Sequence, residues 1–292
     1  MAEVNMKPVF GIDITNNKKN EETNCGAFIS RSISSVTKES FTEKTNGLNE
    51  TIKKSQLPGW MQVVKYLLGL YAIIVLVGII RALPDVGIEQ AFKNAPVLII
   101  SGIVCGGLWL ALFLYSKKKE REVLQDAGVE AQAEAIETSI DGIYNELNVP
   151  QNAPTVDIML FKYVEKDGEA VPKATGMQTC DFFNVEVKIF VRDGYLHLAD
   201  LENVYSFNYD DLRSIKTVNK RVSLLSWNKE VGYGEERYSK YKITENNMGN
   251  ILVKPYHILT LSQNGEEWGI YFPCYELDIF EVLTKIKAEG VE

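Results

Sequence analysis

The chain has 292 residues, a formal net charge of −8 and 46 % hydrophobic residues. Charge divides as about +1 over residues 1–60, −3 over 61–150 and −6 over 151–292. So acidic a C-terminal half excludes nucleic-acid binding, which needs a basic face against phosphates. The four cysteines, Cys25, Cys105, Cys180 and Cys274, are scattered. That spacing fits reduced thiols and neither a disulfide framework nor a zinc site.

Residues 1–59 read as a largely disordered tail, rich in Asn, Thr, Ser, Lys and Glu. Two apolar clusters interrupt it, Val9 to Ile14 and Gly26 to Ile29. The first alternates like a strand, and Phe10 and Ile12 are its candidate partner-binding residues. They either extend a sheet edge, in a partner or in this chain's own domain, or belong to a solvated tail.

Two apolar runs follow. The second, residues 95–116, carries no charge from Asn94 to Ser116, and about 20 apolar residues suffice to cross a bilayer as a helix. The first is shorter. Its charge-free stretch, Tyr66 to Ile80, covers only about 22 Å at about 1.5 Å per residue. Extension over residues 60–83 adds Lys65 and Arg81 near the ends, where basic side chains snorkel towards headgroups. The expectation is two spans joined by a short external loop at 84–94, the alternative being one span and an interfacial segment. The first run begins some sixty residues in without a small-residue cleavage pattern, unlike a cleavable signal peptide.

Lys53 and Lys54 precede the spans, and Lys117, Lys118, Lys119 and Arg121 follow them. By the positive-inside rule both termini are expected in the cytoplasm, at a plasma membrane. The same collar allows weak contact with anionic headgroups, at about 1 kcal/mol per charge. Gly102 and Gly106 form a GxxxG pattern that packs either on the first span or on a second copy.

Residues 117–148 are predicted as an acidic amphipathic connecting helix. Val129, Ala133, Ile136, Ile140, Ile143 and Leu147 keep 4-3 spacing, a stripe that pairs two chains or lies on the following domain. Residues 149–154 are a linker. From Thr155 the period becomes strand-like, with Asp193-Gly194 and Asn264-Gly265 marking two hairpins. Leu277, Phe280, Leu283 and Ile286 then share one face of a closing helix. The fold class expected is a membrane α-helical hairpin plus a soluble α+β or all-β domain. That domain holds about seven antiparallel strands in a barrel or sandwich capped by the helix.

Tyr205 to Thr217, followed later by Trp268 to Phe272 and the closing helix, resembles bacterial pleckstrin-homology-like (PH-like) domains over residues 155–290. The resemblance implies a bent seven-stranded barrel with a terminal helix that serves as a binding platform. The chain departs from it in a long insertion, Ser226 to Gly249, and in lacking a dense basic cluster in the first hairpin loop. The insertion holds aromatic and basic residues typical of protein interfaces, with Trp227, Tyr233, Arg237 and Tyr238 as candidates. Their alternative role is packing on the domain itself.

No GxSxG, HExxH, CxxC, P-loop or Rossmann fingerprint occurs. His197 and His257 are both read as ordinary strand residues. No catalytic, cofactor-binding or metal-binding residue is assigned, and no cofactor is expected. The leading expectation is a membrane-anchored, non-enzymatic adaptor with a protein partner. The alternative is an accessory subunit of a transport or envelope-assembly complex that binds through its transmembrane hairpin.

Overall fold

The computed structural model describes residues 6–15, 23–166, 169–172, 181–225, 241, 244–245 and 251–290. The chain separates into two units. One combines Met1–Ser35 with Ile140–Glu292, and the other is Val36–Ser139. The second unit is therefore inserted within the first.

In the inserted unit, α1 (Ser35–Ser55) leads to α2 (Gly59–Asn94), and α3 (Pro96–Leu124) follows after Ala95 alone. Gly59–Arg81 and Pro96–Val123 are long and apolar enough to cross a membrane, and only 11 % and 6 % of their most apolar stretches is buried. A soluble core helix of that composition would hide most of its surface. Two expected boundaries move. The helix continues through Pro84 to Asn94 where a loop was expected, because proline removes one amide without forbidding helical backbone on either side. The basic collar belongs to α3 and not to the connecting helix. The break falls at Gln125–Asp126, where the Asp126 carboxylate accepts from the Gly128 amide at 2.7 Å, an N-cap contact that starts α4 (Ala127–Glu146).

The β-unit is built from strands on both sides of that insertion. Before it come β1 (Lys7–Pro8), β2 (Gly11–Asp13), a short 3-10 helix (Asn24–Phe28) and β3 (Ile29–Ser32). After it come β4 (Thr155–Lys166), β5 (Glu169–Pro172), β6 (Asp181–Arg192), β7 (Tyr195–Ala199) and β8 (Asn203–Asn208). Then follow β9 (Leu212–Val218), β10 (Val222–Leu225), β11 (Thr244–Glu245), β12 (Ile251–Val253), β13 (Tyr256–Gln263), β14 (Glu266–Pro273) and the helix α5 (Leu277–Thr284).

The strands form two sheets and, among the described residues, no closed barrel. One sheet runs β1-β14-β13-β9. The other runs β11-β12-β10-β6-β7-β8-β3, with β4 beside β6 and carrying β2 and β5. Both predicted hairpins form. Asp193 and Gly194 have φ of 52° and 81°, and Asn264 and Gly265 have 54° and 81°, the two positive values that a type I′ turn requires. Apolar side chains of both sheets meet in one core, which includes Val187, Leu198, Leu259 and Ile270. Phe280 of α5 lies within it, stacked on Phe272 at 3.9 Å. The following residues cover the edge of β9, where the Glu289 amide donates to the Ile215 carbonyl at 2.8 Å.

The N-terminal segment, read as a largely disordered tail, takes the place in this chain's own domain that the alternation of Val9 to Ile14 allowed. Residues 6–14 form a strap that changes sheets. Lys7 and Pro8 pair parallel with Trp268 and Gly269 of β14, and Gly11 to Asp13 pair parallel with Phe161 to Tyr163 of β4. Val9 and Phe10, at the crossover, are buried in the shared core. A polar composition argues for disorder only when a segment must build its own core. Here two adjacent apolar residues complete a core supplied by strands 150 residues away.

Candidate functional site

The sequence-derived candidates among the described residues can each be placed. Phe10 is 3 % exposed, with its ring edge-on to Tyr205 at 5.2 Å, so it is not available to a partner. Ile12 is half-buried in β2 opposite Lys162. Trp227, Tyr233, Arg237 and Tyr238 lie outside the described residues. Gly102 and Gly106 face α2 of the same chain. A Cβ on Gly102 would come within 2.6 Å of Val75, and one on Gly106 within 3.6 Å of Ala72. That close approach is what a small-residue stripe permits. On the collar, Lys117 pairs with Glu120 at 2.8 Å and Lys118 with Glu122 at 3.7 Å, both exposed.

Among the described residues no group of three or more His, Cys, Asp or Glu is placed to hold a metal ion. Burial raises the thiol pKa of Cys25 and takes that of Cys274 to about 11, which keeps both protonated and poor as nucleophiles. The buried polar contacts are structural ties. The Tyr275 hydroxyl donates to the Asp157 carboxylate at 2.8 Å, and the Asp157 amide donates to Glu276 at 3.0 Å, joining β4 to the turn before α5. His257, 3 % exposed, lies beside Phe272 with Thr217 Oγ1 3.1 Å from Nδ1. Burial lowers its pKa to about 4, so it is neutral near pH 7.

The feature with binding chemistry is a groove of about 480 Å3 on the outer face of the larger sheet. Alternation along β6 sends Val187 and Ile189 into the core and leaves Lys188 and Arg192 facing outwards. The last turns of α4 cover part of this outer face, burying Ile143 and Leu147, with the Lys188 ammonium 5.8 Å from the Tyr144 ring. The groove begins where the helix stops.

Its floor is aromatic. Phe190 and His197 stack at 4.8 Å and 19°, and Tyr195 lies 6.1 Å from His197. Both imidazole nitrogens are engaged, Nε2 donating to the Arg192 carbonyl at 3.3 Å and Nδ1 accepting from the Ser206 hydroxyl at 2.7 Å. Desolvation lowers the His197 pKa, so a neutral ring offers its face.

Two guanidiniums form the wall. Arg192 donates to the Asn148 carbonyl at 3.0 Å and sits 5.6 Å from the Phe190 ring. Arg31, from β3, lies 3.5 Å from the Glu146 carbonyl and reaches the Asn148 amide oxygen. Arg31 thereby reaches the Glu146 carbonyl, one of those an α-helix leaves unpaired at its C-terminus, and Arg192 the Asn148 carbonyl just beyond it. Sequence reasoning missed this pair because Arg31 and Arg192 meet only across the sheet. Its local trace was the period-2 outward rows of Lys188, Phe190 and Arg192 on β6 and of Tyr195 and His197 on β7. Comparison with protein-family models, curated proteins and solved structures finds no match to this chain.

Proposed function

We propose that this protein is a membrane-anchored, non-enzymatic adaptor. The α2–α3 hairpin lies in the plasma membrane, and the β-unit is a PH-like protein-binding domain held at the cytoplasmic face. The observation that carries this reading is the path of the chain. Strands before the hairpin pair with strands after it: β3 with β8, β1 with β14 and β2 with β4. A chain that crossed a bilayer once would leave those segments on opposite sides, where they could not pair. The two apolar helices therefore cross together or not at all.

Without a crossing, large aliphatic side chains such as Leu67 (59 % exposed) and Ile103 (66 %) would face water along both helices. Continuous apolar surface of that kind marks a membrane or partner contact. The Lys117 to Arg121 collar supports the cytoplasmic orientation. The order of strands followed by a core-plugging terminal helix supports the PH-like reading.

Reporter fusions test it. Alkaline phosphatase inserted within residues 85–93 is expected to be active, and inactive when fused after Glu292, while a fluorescent protein fused before Met1 folds and fluoresces. Active phosphatase after Glu292 would reverse the orientation. Ends found on opposite sides would overturn the hairpin.

A further inference from the structure

We infer that the groove beyond the end of α4 is a binding site for an acidic peptide segment. A carboxylate of the peptide engages the Arg31–Arg192 wall, and an adjoining apolar side chain lies against His197 and Tyr195. Charge is the first argument. In a chain of net charge −8, two arginines converge on one side of a groove whose histidine is neutral, so an anion is the complementary ligand. Each guanidinium carries five donors in a fixed fork, and the contacts to the end of α4 orient that fork. Arg192 is further braced by its stack on Phe190. A positioned fork suits a bidentate carboxylate.

The floor is the second argument, because it separates a peptide from a simple anion. Inorganic phosphate would use the wall and leave the aromatic face empty. Phe190, buried between His197 and Arg192, is the base of this floor, and the surface left for a ligand is the half-buried His197 ring, whose two nitrogens are engaged, with Tyr195, 41 % exposed, as an amphipathic rim. Such surfaces take up aromatic and aliphatic side chains. The third argument is charge balance. The C-terminal end of α4 carries about half a negative charge, and Asp193 lines the same groove. Part of the arginine charge is already offset, which favours a singly charged carboxylate over a doubly charged phosphate. At about 480 Å3 the groove lies within the roughly 300–1,000 Å3 of small-ligand sites, room for a short segment.

The inference rests on the adaptor reading only in expecting a protein partner. Its test is independent of membrane orientation. The full chain in lipid nanodiscs is titrated against a fluorescein-labelled Gly-Ser-Gly-Glu-Asp-Phe peptide with a free carboxylate, and binding is read by anisotropy. Saturable binding is expected, weakened about tenfold or more when Gln, Asn and a C-terminal amide replace the acidic groups. Arg192→Lys keeps a donor for the Asn148 carbonyl but loses the fork, and should weaken binding with an unchanged melting temperature. Tyr195→Ser, which removes none of the arginine contacts to the end of α4, should weaken it as well. Failure to saturate, or affinities unmoved by both variants, would overturn the proposal. So would equal competition by inorganic phosphate at matched ionic strength, or by vesicles containing phosphatidylserine, which would assign the groove to a phosphate or a headgroup.

Discussion

Replacing Phe10 by alanine separates a structural strap from a solvated tail more sharply than any other single change. The ring is 3 % exposed, packs edge-on to Tyr205 at 5.2 Å and belongs to the core between the two sheets. Truncating a buried phenylalanine costs about 3–5 kcal/mol, of which an edge-to-face aromatic pair accounts for about 0.5–1.5 kcal/mol. The strap is held by pairings of only two and three residues, β1 with β14 and β2 with β4. It can shift to fill part of the void, which sets the expectation near the lower end, at about 3 kcal/mol. For a folded unit of this size that corresponds to a fall in Tm of about 6–12 °C.

Trp268 is a built-in reporter, since it opposes Lys7 in the strap and packs edge-on to Phe28 at 5.2 Å. Thermal unfolding of the full chain in detergent, followed by Trp268 emission with the other three tryptophans replaced by phenylalanine, measures the shift. Ile12→Ala, at a half-buried position, should give a markedly smaller one. A change for Phe10→Ala within the roughly 0.5 kcal/mol typical of surface substitutions would mean that the strap does not complete the core, and the reasoning above would fail.

Other outcomes follow from single sites. His257 has a native pKa of about 4 against an ordinary 6.5. Between those values the unfolded chain binds the extra proton, so stability is full above pH 6.5 and falls as pH drops towards 4. The loss is on the order of 3 kcal/mol, moderated by the facing Glu281 carboxylate. Urea titrations at stepped pH should show His257→Gln with a shallower dependence than the parent, and equal slopes would refute this. In the hairpin, cysteines placed at Ala72 and Gly106, whose Cβ positions lie about 3.6 Å apart, should crosslink within one chain. Adding Gly102→Leu should abolish that crosslink, because the approach of Val75 to 2.6 Å leaves no space for a side chain. A dimer band in its place would assign the glycine stripe to a second copy. Gly194→Val puts a β-branched residue at φ 81°. It should cost about 1–2 kcal/mol, visible as faster amide exchange across β6 and β7, whereas Gly47→Ala in α1 should not destabilise.

What could be read from the sequence is what short-range chemistry decides. Asp193-Gly194 and Asn264-Gly265 turned the chain where two consecutive positive φ values were needed, and the flanking strands pair over Lys188–Arg192 with Tyr195–Ala199 and over Tyr256–Gln263 with Glu266–Pro273. Leu277, Phe280 and Leu283 likewise needed only the helical period to find the core face of α5, whereas Ile286, expected on the same stripe, packs on the core from beyond the left-handed Lys285 that ends the helix at Thr284. The groove was not legible, and of the strap only the alternation of Val9 to Ile14 was, its partner strands being hidden for the same reason as the groove. Arg31 and Arg192 stand 161 positions apart in sequence, and Gly11 pairs with Phe161. No local period encodes either meeting.

Parallel pairing between distant segments also carries a large loop-closure entropy, and here the loop contains the entire membrane hairpin. Anchoring that hairpin would restrict where the chain enters the bilayer at Gly59 and leaves it at Val123. It would thereby lower the entropy cost of bringing β3 to β8 and the strap to β14 and β4. If the hairpin is anchored as proposed, it would do more than tether the β-unit: it would shorten the search by which the N-terminal strands find their sheets. So polar a segment would then hold its ordered place through two effects, the reduced search and the burial of Val9 and Phe10 at its crossover.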